Sequence, residues 1–253
     1  MKNPTDLGGK VILIVGGAGS IGAASARQFA HLGARIAIAH RDLPEETAAA
    51  SALVGSLEGE GHIALVADVA WTATLTAMRA ELERRYGRLD VLVNAAGFTS
   101  PVPHADLDGL DDDLIDRMFA VNWRGQFATI RAFASLLKVS GNGLIVSLSS
   151  IAGSNGIGSS IAYCAVKAGI DVMTKSLARA LAPEIRVLAV APGVVDTGFV
   201  PGRGADFNAR SSASTPLKRI ATADDIASAI LACATQLTFA TGTTFVVDGG
   251  RSL

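Results

Sequence analysis

The sequence is poor in the residues that build metal sites and covalent cross-links. It holds only two cysteines, far apart in the chain, and four histidines that do not cluster. Structural zinc needs several such ligands at short spacing, and disulfide-held domains need many cysteines. The composition therefore excludes a disulfide scaffold and predicts that the protein binds no metal.

An excess of charge of one sign and a long apolar run are also missing. The formal net charge is −1 and the lysines and arginines are scattered, so no basic surface for nucleic acid or an anionic membrane is expected. Residues 1–9 contain no apolar targeting segment. No run approaches the roughly 18 apolar residues that cross a bilayer. We therefore expect a cytoplasmic protein whose partner is a small molecule, and neither a nucleic acid nor a membrane.

What the sequence does contain is a regular alternation of short apolar runs and longer alanine-rich stretches. With 253 residues, 49% of them hydrophobic, the chain can bury one full core, and we expect a single domain over residues 1–253. Alternating strands and helices predict an α/β fold with a doubly wound parallel sheet of seven strands and helices on both faces. The predicted strands are 10–15, 34–39, 63–67, 89–93, 143–148, 185–190 and 243–247, and the predicted helices are 21–32, 45–57, 72–86, 110–137, 159–181 and 223–234.

A glycine-rich turn follows the first predicted strand. The run Val15-Gly-Gly-Ala-Gly-Ser-Ile-Gly22 leads directly into a helix. Glycines let the backbone approach a pyrophosphate closely, and the free N–H groups of a helix N-terminus favour the anion. In this strand–turn–helix context the run predicts dinucleotide binding.

The end of the second strand bears on the choice between NAD and NADP. A count of twenty residues from Gly22 reaches Asp42, whose carboxylate would suit the ribose hydroxyls of NAD. However, Asp42-Leu-Pro-Glu45 also fits a helix N-cap with Pro44 in the first turn. His40 and Arg41 end the strand, and a guanidinium there would accept a 2′-phosphate. The sequence thus favours NADP(H), with NAD(H) as the alternative.

Tyr163 and Lys167 are spaced to share one face of a helix. A free tyrosine has a pKa near ~10. A cation about 4 Å away would contribute up to roughly 4 kcal/mol and lower that pKa by up to roughly three, before solvent screening. The pair predicts a tyrosine that exchanges a proton with a substrate. Ser149 and Ser150 precede it, and only one of these neighbours can face the same pocket.

Taken in order, these motifs resemble those of the classical short-chain dehydrogenase/reductases over nearly the whole chain. The resemblance rests on the turn through Gly16 and Gly22, on Asp68-Val69, on Asn94-Ala-Ala-Gly97, on Asn122, on Ser150 with Tyr163 and Lys167, on Pro192-Gly193 with Thr197, and on Thr241-Gly-x-x-Phe-Val-Val-Asp-Gly-Gly250. It implies a Rossmann-type fold, and it implies a homo-oligomer, tetramer or dimer.

The resemblance also implies an NAD(P)(H)-dependent oxidoreductase that interconverts a secondary alcohol and a ketone by hydride transfer. Tyr163 would be the general acid and base, Ser150 would hold the substrate oxygen, Lys167 would assist the tyrosine and bond the nicotinamide ribose, and Asn122 would help hold a relay water. The residues expected to bind the cofactor are Gly16, Gly19, Ser20, Ile21, Gly22, His40, Arg41, Asp68, Val69, Asn94, Ala95, Ala96, Gly97, Tyr163, Lys167, Pro192, Gly193, Val195 and Thr197.

The substrate is the least constrained part of the sequence. The candidate pocket residues indicate a partly apolar cleft without a basic clamp, and therefore a neutral alcohol, polyol, sugar, steroid or 3-oxoacyl group. The irregular stretch 197–216 predicts either a lid or a loop without function. The alternative functions are a nicotinamide-binding regulator without catalysis and an enzyme that dehydrates or epimerises a nucleotide sugar. The substrate candidates are Phe98, Thr99, Ser150, Ser154, Asn155, Val194 and Phe199.

Overall fold

The computed structural model, which describes residues 6–204 and 206–253, contains one seven-stranded parallel sheet. Its strand order is β3-β2-β1-β4-β5-β6-β7, so the predicted doubly wound α/β class is confirmed. The order reverses between β1 and β4, and a crevice is expected at that point beyond the carboxyl ends of the strands. The strands are β1 Val11–Val15, β2 Arg35–His40, β3 Ile63–Val66, β4 Val91–Asn94, β5 Gly143–Leu148, β6 Ile185–Pro192 and β7 Thr243–Val247.

The helices connect the strands and cover the sheet. None of those in the described ranges is long and apolar enough to cross a membrane, and the same ranges hold no group of three acidic, cysteine or histidine side chains fit for a metal. The helices are α1 Ser20–His31, α2 Pro44–Ser56, α3 Thr72–Tyr86, α4 Asp112–Phe119, a π-helical turn Ala120–Arg124, α5 Gly125–Val139, α6 Ala152–Asn155, α7 Ile161–Leu181, α8 Phe207–Ser214 and α9 Ala223–Thr235.

Two hydrophobic cores lie on opposite faces of the sheet. Alternate side chains of β1 divide between them: Ile12 and Ile14 pack with helices α1, α2 and α9, while Leu13 packs with α3, α5 and α7. Every residue of β1 is buried. The strands can therefore be apolar throughout, since both faces are covered.

The predicted helix 110–137 is wrong as a single element. The Asp111 carboxylate accepts a hydrogen bond from the backbone N–H of Leu114 at 2.7 Å, so α4 begins one residue later. After Phe119 the chain makes the π-helical turn and then continues as α5. Because such a turn adds one residue without breaking the apolar pattern, sequence periodicity does not reveal it.

The sequence predicted an irregular stretch over residues 197–216, but only part of it is irregular. Its second half forms α8, with Ser211 buried and Thr215 donating its hydroxyl to the Ser211 carbonyl at 2.7 Å. Polar, serine-rich helices of this kind lack the apolar spacing by which a helix is recognised. The part that follows β6 is loop up to Gly204, and residue 205 lies outside the described ranges.

One buried carboxylate joins the amino-terminal ends of β1 and β4. Asp90, only 3% exposed, accepts hydrogen bonds from Lys10 Nζ at 2.9 Å, from Val11 N at 3.0 Å and from Arg88 Nε at 3.1 Å. Burial would raise the pKa of Asp90, but the donors from Arg88, Val11 and Lys10 hold it below its ordinary value. This cluster links the starts of β1 and β4 at the edge opposite to the crevice.

Candidate active site

A cavity of about 990 Å³ opens over the carboxyl ends of β1, β4, β5 and β6. It contains most of the residues that the sequence singled out, although these are spread from the first strand to the segment after the sixth. Of the predicted cofactor residues, all but Asn94 line it; these are Gly16, Gly19, Ser20, Ile21, Gly22, His40, Arg41, Asp68, Val69, Ala95, Ala96, Gly97, Tyr163, Lys167, Pro192, Gly193, Val195 and Thr197.

The glycine-rich turn meets the requirements of a pyrophosphate site. Gly16 has a φ of +76°, and a Cβ there would lie 2.7 Å from the backbone nitrogen of Ala96. Helix α1 begins after Gly19 with no side-chain cap and no acidic residue in its first turn. Its free N–H groups therefore remain available to an anion at the wall of the cavity. The residues present thus fit a nicotinamide dinucleotide.

At the end of β2, the structure brings a carboxylate to the predicted NADP residue. Glu46 accepts hydrogen bonds from the Arg41 backbone N–H and from Arg41 Nε, each at 2.9 Å. Both residues line the cavity. The predicted N-cap at Asp42 is wrong: α2 is capped by Leu43 without a side-chain bond. Glu46, the partner of Arg41, was not identified from the sequence.

Asp68 and Val69 line the cavity directly after β3. Asp68 does not cap the next helix, because Trp71 is the N-cap of α3. Instead its carboxylate accepts a hydrogen bond from Ala70 N at 2.9 Å. This closes a short turn at the wall.

Two asparagines that were predicted as site residues do not line the cavity. Asn94 ends β4, is 1% exposed, and has no hydrogen-bond partner for its side chain within the described residues. Asn122, in the π-helical turn, is fully buried: its Oδ1 accepts from Phe98 N at 2.9 Å and its Nδ2 donates to Phe98 O at 2.8 Å. The Asn122 side chain therefore positions the segment after Gly97 and does not face the cavity.

Ser150, Tyr163 and Lys167 come together in the cavity. Ser160 starts α7 by accepting a hydrogen bond from Tyr163 N at 3.2 Å. This cap fixes the first turn of the helix, which carries the tyrosine. The Lys167 Nζ lies 5.6 Å from the centre of the Tyr163 ring and donates to the Leu148 carbonyl at 2.7 Å.

The two candidate serines have different environments. Ser149 is buried and donates its hydroxyl to the Lys167 backbone carbonyl at 3.2 Å. Ser150 is half-buried, accepts a hydrogen bond from the Ala152 backbone N–H at 3.2 Å, and acts to lower the pKa of the Tyr163 phenol. Ser150 is therefore the hydroxyl available to a substrate, and Ser149 holds α7 against β5.

The pKa values of the tyrosine and lysine are set by burial. Burial raises the pKa of Tyr163 to about 12, against the opposing effect of the Ser150 hydrogen bond. Burial also lowers the pKa of Lys167 to about 8. The expected lowering of the Tyr163 pKa by Lys167 is not found: burial raises the pKa, and the opposing influences come from Ser150 and from the charge of Arg203.

Three of the substrate candidates do not reach the cavity. Ser154 donates its hydroxyl to the Ile151 carbonyl at 2.9 Å, and Asn155 Oδ1 accepts from Ile157 N at 2.8 Å, so both serve the short α6 turn. Thr99 is buried and bonded to the Ser159 hydroxyl. The candidates that line the cavity are Phe98, Ser150, Val194 and Phe199.

The expectation of a cleft without a basic clamp is wrong. The guanidinium groups of Arg203 and Arg251 both belong to residues that line the cavity. Arg203 stacks on Phe207, its Cζ 4.3 Å from the ring centre, while Phe199 lies 6.1 Å from the Tyr163 ring, centre to centre. Arg203 and Arg251 were missed because each lies just after a motif, beyond Thr197 and Gly250, and has no local sequence pattern of its own.

Comparisons with known proteins agree with this geometry. Residues 16–252 match the family model described as Enoyl-(Acyl carrier protein) reductase. Over 245 residues the chain is 36% identical to cis-4-hydroxycyclohexanecarboxylate dehydrogenase of Sinomonas cyclohexanicum, covering 95% of this chain and 96% of that protein.

Two solved structures from Brucella melitensis have the same fold. A short-chain dehydrogenase/reductase titled glucose/ribitol dehydrogenase superposes with a TM-score of 0.89 at 28% identity, covering 97% of this chain and 98% of that one. A 3-ketoacyl-(acyl-carrier-protein) reductase complexed with NADH gives a TM-score of 0.87 at 31% identity, covering 98% and 100%.

Proposed function

The chain belongs to the short-chain dehydrogenase/reductase family, nicotinamide-dependent oxidoreductases of CH–OH groups, and on that premise we propose that Tyr163 is the general acid and base that interconverts a secondary alcohol and a ketone. One observation carries the proposal: Ser150, Tyr163 and Lys167 line the same cavity as the uncapped, glycine-rich N-terminus of α1. An anion site and a proton donor thus share one space.

Each catalytic residue has a role that follows from its contacts. A bound nicotinamide supplies or accepts the hydride. Ser150 donates a hydrogen bond to the substrate oxygen, where negative charge develops during reduction. Tyr163, with a pKa of about 12, holds its proton at neutral pH and delivers it to that oxygen. In the oxidation direction the same phenol must first lose its proton.

Lys167 supports the tyrosine from below. Burial lowers the pKa of Lys167 to about 8, so the amine still carries substantial positive charge at neutral pH. This charge, 5.6 Å from the centre of the Tyr163 ring, favours the ionised form of the phenol. By family analogy it also bonds the nicotinamide ribose. Asn122 positions the segment Gly97–Phe98 through its two bonds to the Phe98 backbone. Because these bonds occupy its side chain, only the backbone of Asn122 remains to hold a relay water.

For the cofactor we propose NADP(H), with NAD(H) as the alternative. Arg41 supports a 2′-phosphate because its guanidinium lies at the cavity after β2. Its pairing with Glu46 opposes a strong preference, since a 2′-phosphate must compete with that carboxylate. We expect a modest preference that depends on this pair.

The substrate class stays broad at this level. The named substrates of the relatives, a hydroxycyclohexanecarboxylate and a ketoacyl group, share only an alcohol or carbonyl. We propose a small alcohol or ketone, a cytoplasmic protein, one domain over 1–253, and a homo-oligomer by family analogy. The regulator without catalysis is not favoured, because a regulator has no need of the serine, tyrosine and lysine gathered in one cavity.

The test is the change Tyr163→Phe, which removes the proton and keeps the ring. We expect turnover of a ketone panel to fall by roughly a hundredfold or more, because general acid catalysis is lost, while cofactor affinity by fluorescence titration changes by no more than about twofold. Tyr86→Phe is the matched control, since Tyr86 donates its hydroxyl to Gly61 outside the cavity. Retention of more than about a tenth of the activity excludes Tyr163 as the main acid.

A further inference from the structure

The segment after β6 brings an arginine to the catalytic end of the cavity. Arg203 lies over the Phe207 ring at 4.3 Å and donates to the Val195 carbonyl at 3.4 Å. Stacking on a ring fixes the plane of a guanidinium and leaves its outer N–H groups free to meet a planar acceptor. Phe199, in the same loop, lies 6.1 Å from the Tyr163 ring, centre to centre, so the loop that carries Arg203 runs beside the tyrosine. The positive charge of Arg203 also favours ionisation of the Tyr163 phenol.

The charges along the cavity wall are segregated. The acidic residues that line it are Glu45, Glu46 and Asp68, all on α2 or directly after β3, at the adenosine end. The catalytic end is lined by three cations and no carboxylate: Lys167, Arg203 and Arg251. This end therefore attracts anions.

Neither arginine has a carboxylate partner within residues 6–204 and 206–253. No salt bridge involves Arg203 or Arg251, and the Nε of Arg203 is buried without a hydrogen-bond partner. Asp196, an acid close enough to act on Arg203, is exposed and accepts from Asn208 Nδ2 at 2.8 Å. Burial, together with the nearby Arg251, lowers the pKa of Arg203. Two neighbouring cations that form no salt bridge among the described residues are stabilised when an anion binds beside them.

Arg251 has a second task. It donates to the Ser211 carbonyl at 3.1 Å and to the Ser214 hydroxyl at 2.9 Å, so it fastens the last turn of α8. Arg203 makes a single long bond and is free to bind. Most other side chains at this end are apolar, and these are Phe98, Pro101, Ile157, Phe199, Val200 and Phe207.

We propose that Arg203 binds a carboxylate on the substrate, so that the enzyme acts on a hydroxy or oxo acid with a compact apolar body. The inference rests on the proposed function. The apolar wall surrounds the body of the acid, the guanidinium fork holds its carboxylate, and the carbonyl is directed to Ser150 and Tyr163. The plane imposed by Phe207 suits the two oxygens of a carboxylate.

The experiment compares linear methyl ketones that end in a carboxylate, from levulinate upward in chain length, with their methyl esters. For the wild type we expect at least one acid to have kcat/KM at least tenfold above its ester. Arg203→Gln should lower the acid-to-ester ratio of kcat/KM by at least tenfold, since any effect of the lost charge on Tyr163 is shared by both substrates. Arg203→Lys should restore part of the loss, because the charge returns without the fork. Arg210→Gln is the control, an exposed arginine of α8 that pairs only with Asp206 at 3.8 Å.

Two further measurements separate the possible failures. Dihydroxyacetone phosphate beside dihydroxyacetone tests a phosphate site, and a stronger Arg203-dependent gain there than for the acids overturns the carboxylate. Calorimetric titration of the cofactor-loaded protein with hexanoate and hexanamide reports binding without turnover. If no ketone is reduced but hexanoate binds through Arg203, the proposed function fails and the anion site stands. If ketones are reduced while acid and ester are equal in every variant, the inference is wrong and the function stands.

Discussion

At the scale of single residues, the Arg41–Glu46 pair shows how a neighbour changes the meaning of a motif. An arginine after β2 favours a 2′-phosphate, but Glu46 binds that guanidinium and keeps a negative charge beside it. Burial acts to raise the pKa of Glu46, and the hydrogen bonds from Arg41 lower it below its ordinary value. At neutral pH the carboxylate is therefore ionised, and any 2′-phosphate competes with it.

We predict that Glu46→Gln shifts the cofactor preference toward NADPH by roughly tenfold, about 1.4 kcal/mol, because Arg41 loses its competing partner and one negative charge is removed. The ratio of NADPH and NADH dissociation constants, from fluorescence titration, measures it. Glu83→Gln is the control, since Glu83 pairs with Arg79 at 3.2 Å on the surface of α3. An unchanged ratio, or a shift toward NADH, contradicts the competition.

The residues that sequence reasoning found and missed differ in whether a local pattern marks them. The glycine turn, Ser150, Tyr163 and Lys167 were predicted because each sits in a local pattern with its own chemistry. Glu46 and Arg203 were missed because their roles arise from contacts: Glu46 binds the Arg41 guanidinium, and Arg203 lies on the Phe207 ring at the wall of the cavity.

At the scale of secondary structure, the π-helical turn is the element that joins the cofactor half of the chain to the catalytic half. Asn122 in this turn satisfies both the N–H and the carbonyl of Phe98, directly after Gly97 at the cavity. The Asn122 side chain is fully buried, and Phe98 is half-buried. Removing the side chain would leave the N–H and the carbonyl of Phe98 without these partners at the wall of the cavity.

We predict that Asn122→Ala lowers the free energy of unfolding by about 2–4 kcal/mol, since each unsatisfied buried group costs roughly 1–3 kcal/mol. Urea unfolding followed by circular dichroism measures the loss. Asn142→Ala, at an exposed turn before β5, should change it by less than about 0.5 kcal/mol. Equal stabilities of Asn122→Ala and the wild type would show that the two bonds to Phe98 contribute nothing.

At this scale the sequence located the elements better than their limits. All seven strands and the long helices α1, α2, α3, α7 and α9 were predicted within a few residues, because apolar spacing continues through each element. The break at residues 120–124 and the polar helix α8 were not, since neither changes that spacing in a recognisable way.

At the scale of the whole molecule, the cavity and the Asp90 cluster lie at opposite ends of the strands. The cavity lies beyond the carboxyl ends of the strands, while Asp90 joins β1 and β4 at their amino ends. Only 3% of Asp90 is exposed, so the loss of this charge leaves Lys10 and Arg88 without their shared partner. Its contribution should appear in stability and not in cofactor binding.

We predict that Asp90→Asn lowers the free energy of unfolding at neutral pH by about 1–3 kcal/mol, because buried Asp90 loses its charge-assisted hydrogen bonds while Lys10 and Arg88, 40% and 38% exposed, stay solvated. Because the folded-state pKa of Asp90 lies below its ordinary value, the stabilisation is complete above roughly pH 4 and is lost as the pH falls through the folded value. Denaturant titrations of both proteins at several pH values measure the difference, which should shrink only in acid.

Asp116→Asn, on the exposed side of α4, is the control for this change. It should alter stability by less than about 0.5 kcal/mol. Cofactor dissociation constants should agree among wild type and both variants within about twofold. A stability difference that grows in acid, or a selective loss of cofactor affinity in Asp90→Asn, would contradict the assignment.

The strand order also determines how the sheet can assemble as the chain leaves the ribosome. Strands β1 to β4 form one continuous part of the sheet in the order β3-β2-β1-β4, and β4, the last of them in the chain, ends at Asn94. Each later strand adds beyond the one before it. Half the sheet can therefore form while the remainder is still being translated. After that, β5, β6 and β7 are added in turn on the β4 side, so the sheet grows in one direction.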